Sequence, residues 1–314
     1  MRRHDFAVVV PAFNEAPVIP DLIRELKAAF AAHDLDGEVL LVDDGSTDGT
    51  AELAEREASD WPNLRVLRHR TNRGKTEAMV TAAENTDRSV LVLFDADLQH
   101  SPEEIPRFLD KLDEGWDIVT GRKIGAYDKR AVSSVYNRLS RWIFQVPVSD
   151  LNSMKAFRRE ILTEIPLRHD WHRFFVVMAY ARGYSVTEID VTLHPRRAGE
   201  SKYRGPLRVV VGLLDLVSVW FLLLFSRKPL ILFGASGLVL IALGIVVAAV
   251  AFYWRFVVGQ GFRPLLYLVI LLETVGFLLL GFGLVSEMIA QVSTEMERLK
   301  RDVERLRAPR GEGG

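Results

Sequence analysis

Cysteine is absent from all 314 residues, which removes disulfides, thiolate nucleophiles and Cys-ligated zinc from the chemistry open to this chain. Net charge is nearly absent too. The 40 Lys and Arg stand against 41 Asp and Glu, a formal −1 at pH 7, so no global polyanion-binding surface is expected and nucleic acid is not an expected partner. The opening run, MRRHDFAVVVP, is too short in apolar residues before Pro11 to act as a secretory signal, and its domain is expected to stay in the cytosol. No internal repeat is found. Charge is missing altogether from one long stretch, Leu230 to Trp254.

That stretch divides the chain. Residues 1–204 mix charged and apolar residues as a soluble domain does, whereas Pro206 to Ala290 is overwhelmingly apolar. The 25 residues of Leu230 to Trp254, at about 1.5 Å each, extend roughly 37 Å, enough to cross a bilayer. Residues 264–290 form a second span, interrupted by Glu273 and by Glu287 near its end. The short connection from Arg255 to Arg263 makes the pair a helical hairpin. Arg227, Lys228 and the six Lys and Arg of residues 291–314 then fall on the side of the soluble domain, leaving Arg255 and Arg263 opposite. By this distribution the domain and C-terminal tail are both expected to be cytosolic, in a protein integral to the membrane, for which a cell membrane of bacterial type is expected. A third span would move both cationic clusters outside, so residues 205–228 are expected to lie in the interface, with Trp220 near headgroup depth. Glu273 is expected to pair with Arg255, Arg263 or a neighbouring subunit. In the tail, Val292, Met296, Leu299, Val303 and Leu306 keep spacings of four and three, the seam of a coiled coil, and a homo-oligomer is expected.

In the soluble part, apolar runs at Phe6 to Val10, Glu38 to Val42, Leu64 to Leu67, Val90 to Phe94 and Asp117 to Thr120 alternate with helical periodicity. Five such alternations mean an α/β domain with a largely parallel sheet, to which Val186 to Leu193 adds a late strand. Ligands bind such sheets at the carboxyl ends of the strands. The run SVLVLFDADLQH ends one strand in Asp95 and Asp97, which with Gln99 offer hard oxygen ligands for Mg2+ or Mn2+. Paired acids after a strand can equally cap the next helix, and the rest of the chain decides. Asp43 and Asp44 sit directly at another strand end, ahead of a turn of Gly, Ser, Thr and Asp. Lys75 stands at a helix start, where the dipole favours anions, so an anionic neighbour or ligand is expected beside it. Lys123, Lys129 and Arg130 could receive a second phosphate, and Arg196, Arg197 and Lys202 crowd a polar loop ahead of the membrane segment. Attraction to lipid headgroups would by itself explain that loop.

Together these pieces resemble glycosyltransferase family 2, and within it the polyprenyl-phosphate glycosyltransferases, over nearly the whole chain. The motifs are Pro11-Ala-Phe-Asn-Glu15, Val42-Asp-Asp-Gly-Ser46, Asn72-Arg-Gly-Lys75, Asp95-Ala-Asp-Leu-Gln99, Gly121-Arg122, Asp150 to Phe157 and Arg196-x-x-Gly-Glu-Ser-Lys202. The resemblance implies a GT-A fold in which Pro11, Phe13, Asn14, Glu15, Val42, Asp43, Asp44, Lys75 and Ala96 line the nucleotide site. It implies a metal held by Asp97 and Gln99, with Asp95 touching it or the donor sugar. Arg122, Arg196, Ser201 and Lys202 would handle phosphate charge, and Asp150 would position groups. The acceptor phosphate would meet either Lys129 and Ser133 or Arg130 and Ser134. Phe13 replaces a tyrosine common in this motif, keeping the stacking surface without the hydroxyl.

The expected activity is transfer of one hexose from a nucleotide diphosphate sugar to a polyprenyl phosphate, at the cytosolic face of a membrane whose lipid is itself a partner. Glycolipid synthesis on a diacylglycerol-like hydroxyl and a non-catalytic sugar-nucleotide-binding scaffold are the alternatives. Processive polysaccharide synthesis is disfavoured because no Gln-x-x-Arg-Trp is present: Trp142 follows Arg141, but position 138 is Arg.

Overall fold

The computed structural model describes residues 5–124, 146–151, 153–165, 167, 171–195, 218, 221, 229–261 and 263–307. The chain divides into two compact units, Met1–Leu213 and Leu214–Gly314.

The first unit is built on a seven-stranded sheet. Its elements in chain order are β1 (Phe6–Ala12), α1 (Ile19–Ala32), β2 (Glu38–Asp43), α2 (Thr50–Glu57), β3 (Leu64–Arg68), α3 (Lys75–Glu84) and β4 (Val90–Leu93). A 3-10 turn, Pro102–Glu104, leads into α4 (Ile105–Asp113), followed by β5 (Ile118–Ile124), β6 (Lys155–Arg158), α5 (Arg159–Glu164), α6 (Phe175–Ala181) and β7 (Val186–Thr192). The Ser101 hydroxyl caps that turn, accepting from the Glu103 amide at 3.3 Å.

The strand order is β3-β2-β1-β4-β6-β5-β7. β1 pairs in parallel with β2 on one side and β4 on the other, so the winding reverses between β1 and β4. A crevice opens outside the carboxyl ends of the strands at such a reversal. Phe6, Val8 and Val10 alternate onto one face, where Leu22 and Leu26 of α1 and Ile105, Phe108 and Leu112 of α4 complete a buried cluster. On the following elements, Phe157 and Phe175 meet with ring centroids 4.6 Å apart, tying α6 to β6.

Two departures from the sequence expectation concern β1 and β6. β1 does not stop at Pro11 but runs on to Ala12. The Val9 carbonyl accepts from the Phe94 amide at 2.9 Å and the Ala12 carbonyl from the Asp44 amide at 2.8 Å. By alternation the Pro11 nitrogen faces the β4 side, beyond the last pair, Val9↔Leu93, so its missing N–H costs no ladder bond. The second departure is β6, an unexpected antiparallel strand lying between β4 and β5.

The second unit contains α7 (Pro229–Phe256) and α8 (Arg263–Arg307). Both are long and apolar enough to cross a membrane, α8 over Arg263–Val292. They pack through glycine. A Cβ on Gly237 would lie 2.6 Å from the Gly276 carbonyl oxygen, and one on Gly283 would lie 3.0 Å from the Gly234 nitrogen. Such close backbone approach gives two helices their contact where no hydrophobic effect drives them together. Among the described residues Glu273 forms no ion pair with Arg255 or Arg263. Its carboxylate lies over Gly244, whose Cβ would come within 2.6 Å of Oε1. Eleven residues, about 16 Å along the helix, separate that position from Arg255. At the other end of the hairpin the Leu230 amide, in the first turn of α7, donates to Glu287 Oε2 at 3.3 Å.

Candidate active site

Two loops leave the sheet side by side, after β1 and after β2, and are bonded together rung by rung. The Asn14 amide donates to the Ser46 hydroxyl at 2.8 Å, and the Thr47 amide donates back to Asn14 Oδ1 at 2.9 Å. The Glu15 amide donates to Thr50 Oγ1 at 3.0 Å and the Ala16 amide to Asp48 Oδ2 at 3.1 Å. Asn14 adopts φ 51°, in the left-handed region that asparagine tolerates better than most residues. Burial works to raise the Asp48 carboxyl, but the Thr50 hydroxyl and the amides of Ala16 and Thr50 hold it below its ordinary value.

Asp44 organises a third segment. Only 4% exposed, it accepts from His69 Nδ1 and from the Arg73 amide, both at 2.8 Å, and from the Gly74 amide at 2.7 Å. Gly45 beside it has φ 77°, and a Cβ there would lie 2.7 Å from the Thr71 carbonyl carbon, so glycine alone fits. The carboxylate expected at the donor thus clamps the loop that opens α3. Asp43 Oδ1 accepts from the Ser46 amide at 3.3 Å, shaping its own turn.

α3 delivers Lys75 to Asp95, where the ammonium bonds the carboxylate. Burial would raise the Asp95 carboxyl, yet that ammonium holds it well below the usual range, helped by His100 and Lys155. The run then turns sharply at Leu98, a buried residue with φ 53°. A bulky side chain in that region is strained, and such strain is concentrated at functional sites. The turn lets the Gln99 amide donate to Asp97 Oδ1 at 3.2 Å and turns the Gln99 carbonyl toward the His194 amide, 2.8 Å away. Ala96 between the acids is buried.

Behind the acids lies a group of cations that sequence reasoning only partly singled out. Arg122 and Lys123 are consecutive on β5 and bond in different directions, as strand alternation requires. Arg122 donates to Asp190 at 2.5 Å and to Glu188 at 3.3 Å, both on β7. Lys123 instead lies 3.4 Å from Asp150, a buried carboxylate. Lys155, on β6, is 1% exposed and donates to the Leu151 carbonyl at 3.2 Å. Burial pushes its ammonium down to about 7, with Lys75 acting the same way and Asp95 and Asp150 opposing. His100 is buried as well, and burial pushes its imidazole down to about 4 against the pull of Asp95. Its Nε2 lies 3.4 Å from the Ser153 hydroxyl, and its Nδ1 has no hydrogen-bond partner among the described residues. Lys155 lies inside the Asp150 to Phe157 motif and His100 ends the SVLVLFDADLQH run, but neither residue is singled out from the sequence. Lys129, Arg130, Ser133, Arg196, Ser201 and Lys202 lie outside the described residues, as does most of 205–228.

The model of a family described as Glycosyl transferase family 2 matches residues 7–181. The chain belongs to glycosyl transferase family 2. Similar proteins include an undecaprenyl-phosphate 4-deoxy-4-formamido-L-arabinose transferase of Pseudomonas fluorescens, 30% identical over 307 residues, covering 95% of this chain and 88% of that one. A dodecaprenyl-phosphate galacturonate synthase of Rhizobium johnstonii is 31% identical over 300 residues, covering 91% and 88%. Among solved structures, glucosyl-3-phosphoglycerate synthase of Mycobacterium tuberculosis, in complex with Mn2+, UDP-glucose and phosphoglyceric acid, matches with TM-score 0.56 at 18% identity. That match covers 70% of this chain and 79% of the other, and it bears out the GT-A fold. The same synthase in complex with Mg2+ and UDP matches at TM-score 0.54 and 21% identity.

Within this family 2 transferase the donor set sets limits on a metal. Among the described residues no three His, Cys, Asp or Glu side chains converge closely enough to hold an ion by themselves. Asp95 and Asp97 supply two carboxylates at one strand end, with Gln99 following. Such a set suits a hard divalent ion that takes its other ligands from water and substrate phosphates, as Mg2+ does.

Proposed function

We propose that this family 2 glycosyltransferase moves one hexose from a nucleotide diphosphate sugar to a polyprenyl phosphate at the cytosolic face of the membrane, with inversion at the anomeric carbon. The observation that carries the reading is the pair Asp95 and Asp97 at the reversal point of the sheet, in a chain whose full-length relatives bear polyprenyl-phosphate names.

The laced loops from Pro11 to Glu15 and from Val42 to Asp48, with Phe13 offering a ring, form the floor for base and ribose. Asp95, Asp97 and Gln99 would hold Mg2+ or Mn2+, which when bound neutralises charge on the departing diphosphate. Lys75, already at Asp95, lies within reach of the same phosphates. For the acceptor, Lys123 is placed beside Asp150, whereas Arg122 would have to leave Asp190 and Glu188. Arg196, Ser201, Lys202 and the Lys129 to Ser134 stretch complete the phosphate site in this reading.

No dedicated base is required. The second ionisation of a phosphate monoester lies near pH ~6, so the acceptor arrives mostly as a dianion and its oxygen is the nucleophile. Alignment opposite the leaving group and charge stabilisation are then the protein's tasks, and in-line attack gives inversion. Asp150, buried and beside Lys123, positions groups. Two spans with cationic flanks on one side support a cytosolic domain and tail.

The test offers the purified chain a panel of labelled nucleotide sugars with polyprenyl phosphate or with free polyprenol. One sugar should yield a labelled lipid phosphate, while free polyprenol stays inert. Asp97→Asn and excess EDTA should each abolish transfer. Comparable labelling of free polyprenol would instead favour a glycolipid synthase, and undiminished turnover in EDTA would overturn the metal assignment.

A further inference from the structure

α8 is one unbroken helix of 45 residues, but the part apolar enough to cross a membrane ends at Val292. The remaining 15 residues, Ser293 to Arg307, continue for roughly 22 Å. At this length, ~12–15 residues, an isolated helix is marginal in water, and here the stretch continues a helix already formed. An apolar line runs into it from Val292, the last residue of the span and 55% exposed, through Met296 at 66% and Leu299 at 64%. Spacings of four and three continue that line to Val303 and Leu306, placing Val292, Leu299 and Leu306 at d and Met296 and Val303 at a.

We infer that this extension pairs with the same segment of a second copy of the chain, as a parallel two-stranded coiled coil. Charge complementarity selects the occupant. In the same register Glu295 and Asp302 fall at g, and Lys300 and Arg307 at e, five positions later in each case. In a parallel pair each g residue meets the e residue five further on in its partner, so both contacts join an acid to a base. An antiparallel pair would set g against g and e against e, acid on acid and base on base. Two copies inserted in the same membrane sense are parallel by necessity. In the second heptad, Val303 at a with Leu299 and Leu306 at d matches the two-stranded preference; Met296 at a adds none. The pairing rests on α8 alone and stands apart from the reaction assigned to the sheet edge.

The absence of cysteine makes the test clean, because any introduced thiol is the only one. In the full-length chain under mild oxidation, Leu299→Cys (d) should cross-link to a species of twice the 35.5 kDa chain mass, and Arg301→Cys (f) should remain monomeric. Equal cross-linking of the two, or none at d, would overturn the proposal, the latter also being the outcome if the apolar line lies on the lipid surface. A second arm co-expresses differently tagged Glu295→Lys/Asp302→Lys and Lys300→Glu/Arg307→Glu chains. Each alone opposes like charges across the seam, whereas a mixed pair restores both contacts, so mixed dimers should dominate. Statistical mixing would place the charges in contacts within one helix and sink the parallel coil.

Discussion

The amide of His194 donates to the carbonyl of Gln99 at 2.8 Å, joining the end of β7 to the end of the Asp95 run. In sequence, Gln99 follows Asp97 by two positions and Arg196 follows His194 by two. Under the functional proposal, Arg196→Ala should cost about a hundredfold in kcat/KM, the scale of losing one charged transition-state contact, and Arg197→Ala should be milder. Parallel assays with polyprenyl phosphate check this. Equal or reversed losses would mean that the loop acts by general attraction to the membrane surface.

Lys123 and Arg122 make a sharper pair, being adjacent in sequence and opposed in space. Lys123→Ala should lower kcat/KM by about tenfold to a hundredfold, each tenfold being ~1.4 kcal/mol of transition-state stabilisation. Arg122→Ala should act first on stability, since it releases Asp190 and Glu188 on β7. Kinetics and thermal unfolding of both variants decide the matter. A larger kinetic loss for Arg122→Ala at unchanged stability would return the phosphate role to Arg122.

Much of this site is legible in the sequence because it is local. The run from Val90 to Asp97 announces a buried strand ending in acids, and Asp43 and Asp44 do the same for β2. What is not local was missed. β6 is four residues, Lys-Ala-Phe-Arg, too short to show a period and with a lysine where a buried strand calls for an apolar side chain. Which of Arg122 and Lys123 faces the acids depends on pairing, Arg122↔Asp190, that only the assembled sheet supplies. The engagement of Asp44 is unreadable for the same reason, because its partners lie 25 to 30 positions away.

Asp117 yields a pH-dependent prediction. Burial would raise its carboxyl, but the Ser185 hydroxyl and amide, at 2.7 and 2.8 Å, and Arg158 hold it below its ordinary value. A depressed carboxyl stabilises the fold fully above its unfolded value, near ~3.9, and loses that contribution as pH falls through the folded value. Asp117→Asn should thus cost about 1–3 kcal/mol at neutral pH, with the deficit shrinking below pH ~4. Denaturant unfolding at several pH values measures it. A deficit constant from neutral pH to pH ~3 would show that the ionised carboxylate is not its source.

The glycine contacts of the hairpin predict position-specific intolerance. Gly237→Val would drive a side chain into the Gly276 carbonyl, and overpacking of this kind costs about 1–3 kcal/mol. Gly281→Ala, with nothing within 4 Å of the added Cβ, should be nearly silent. Thermal unfolding in detergent distinguishes them. Equal tolerance at both positions would mean that the helices do not meet through glycine.

The bond from the Leu230 amide to Glu287 bears on where water begins. A free helix-start amide and a carboxylate are both costly in hydrocarbon, and here each meets the other at one end of the hairpin. That end marks a phase boundary, and Arg255 and Arg263 mark the other. From Arg263 to Glu287 are 24 residues of helix, about 36 Å, against a hydrocarbon thickness of ~30 Å that leaves a few ångströms for tilt. One carboxylate thus serves two helices at once, its own and the first turn of α7. Removing it, as in Glu287→Ala, would leave the Leu230 amide without that partner and shift outward the point along α7 at which a free backbone amide can rest, while the glycine contacts keep the two helices together.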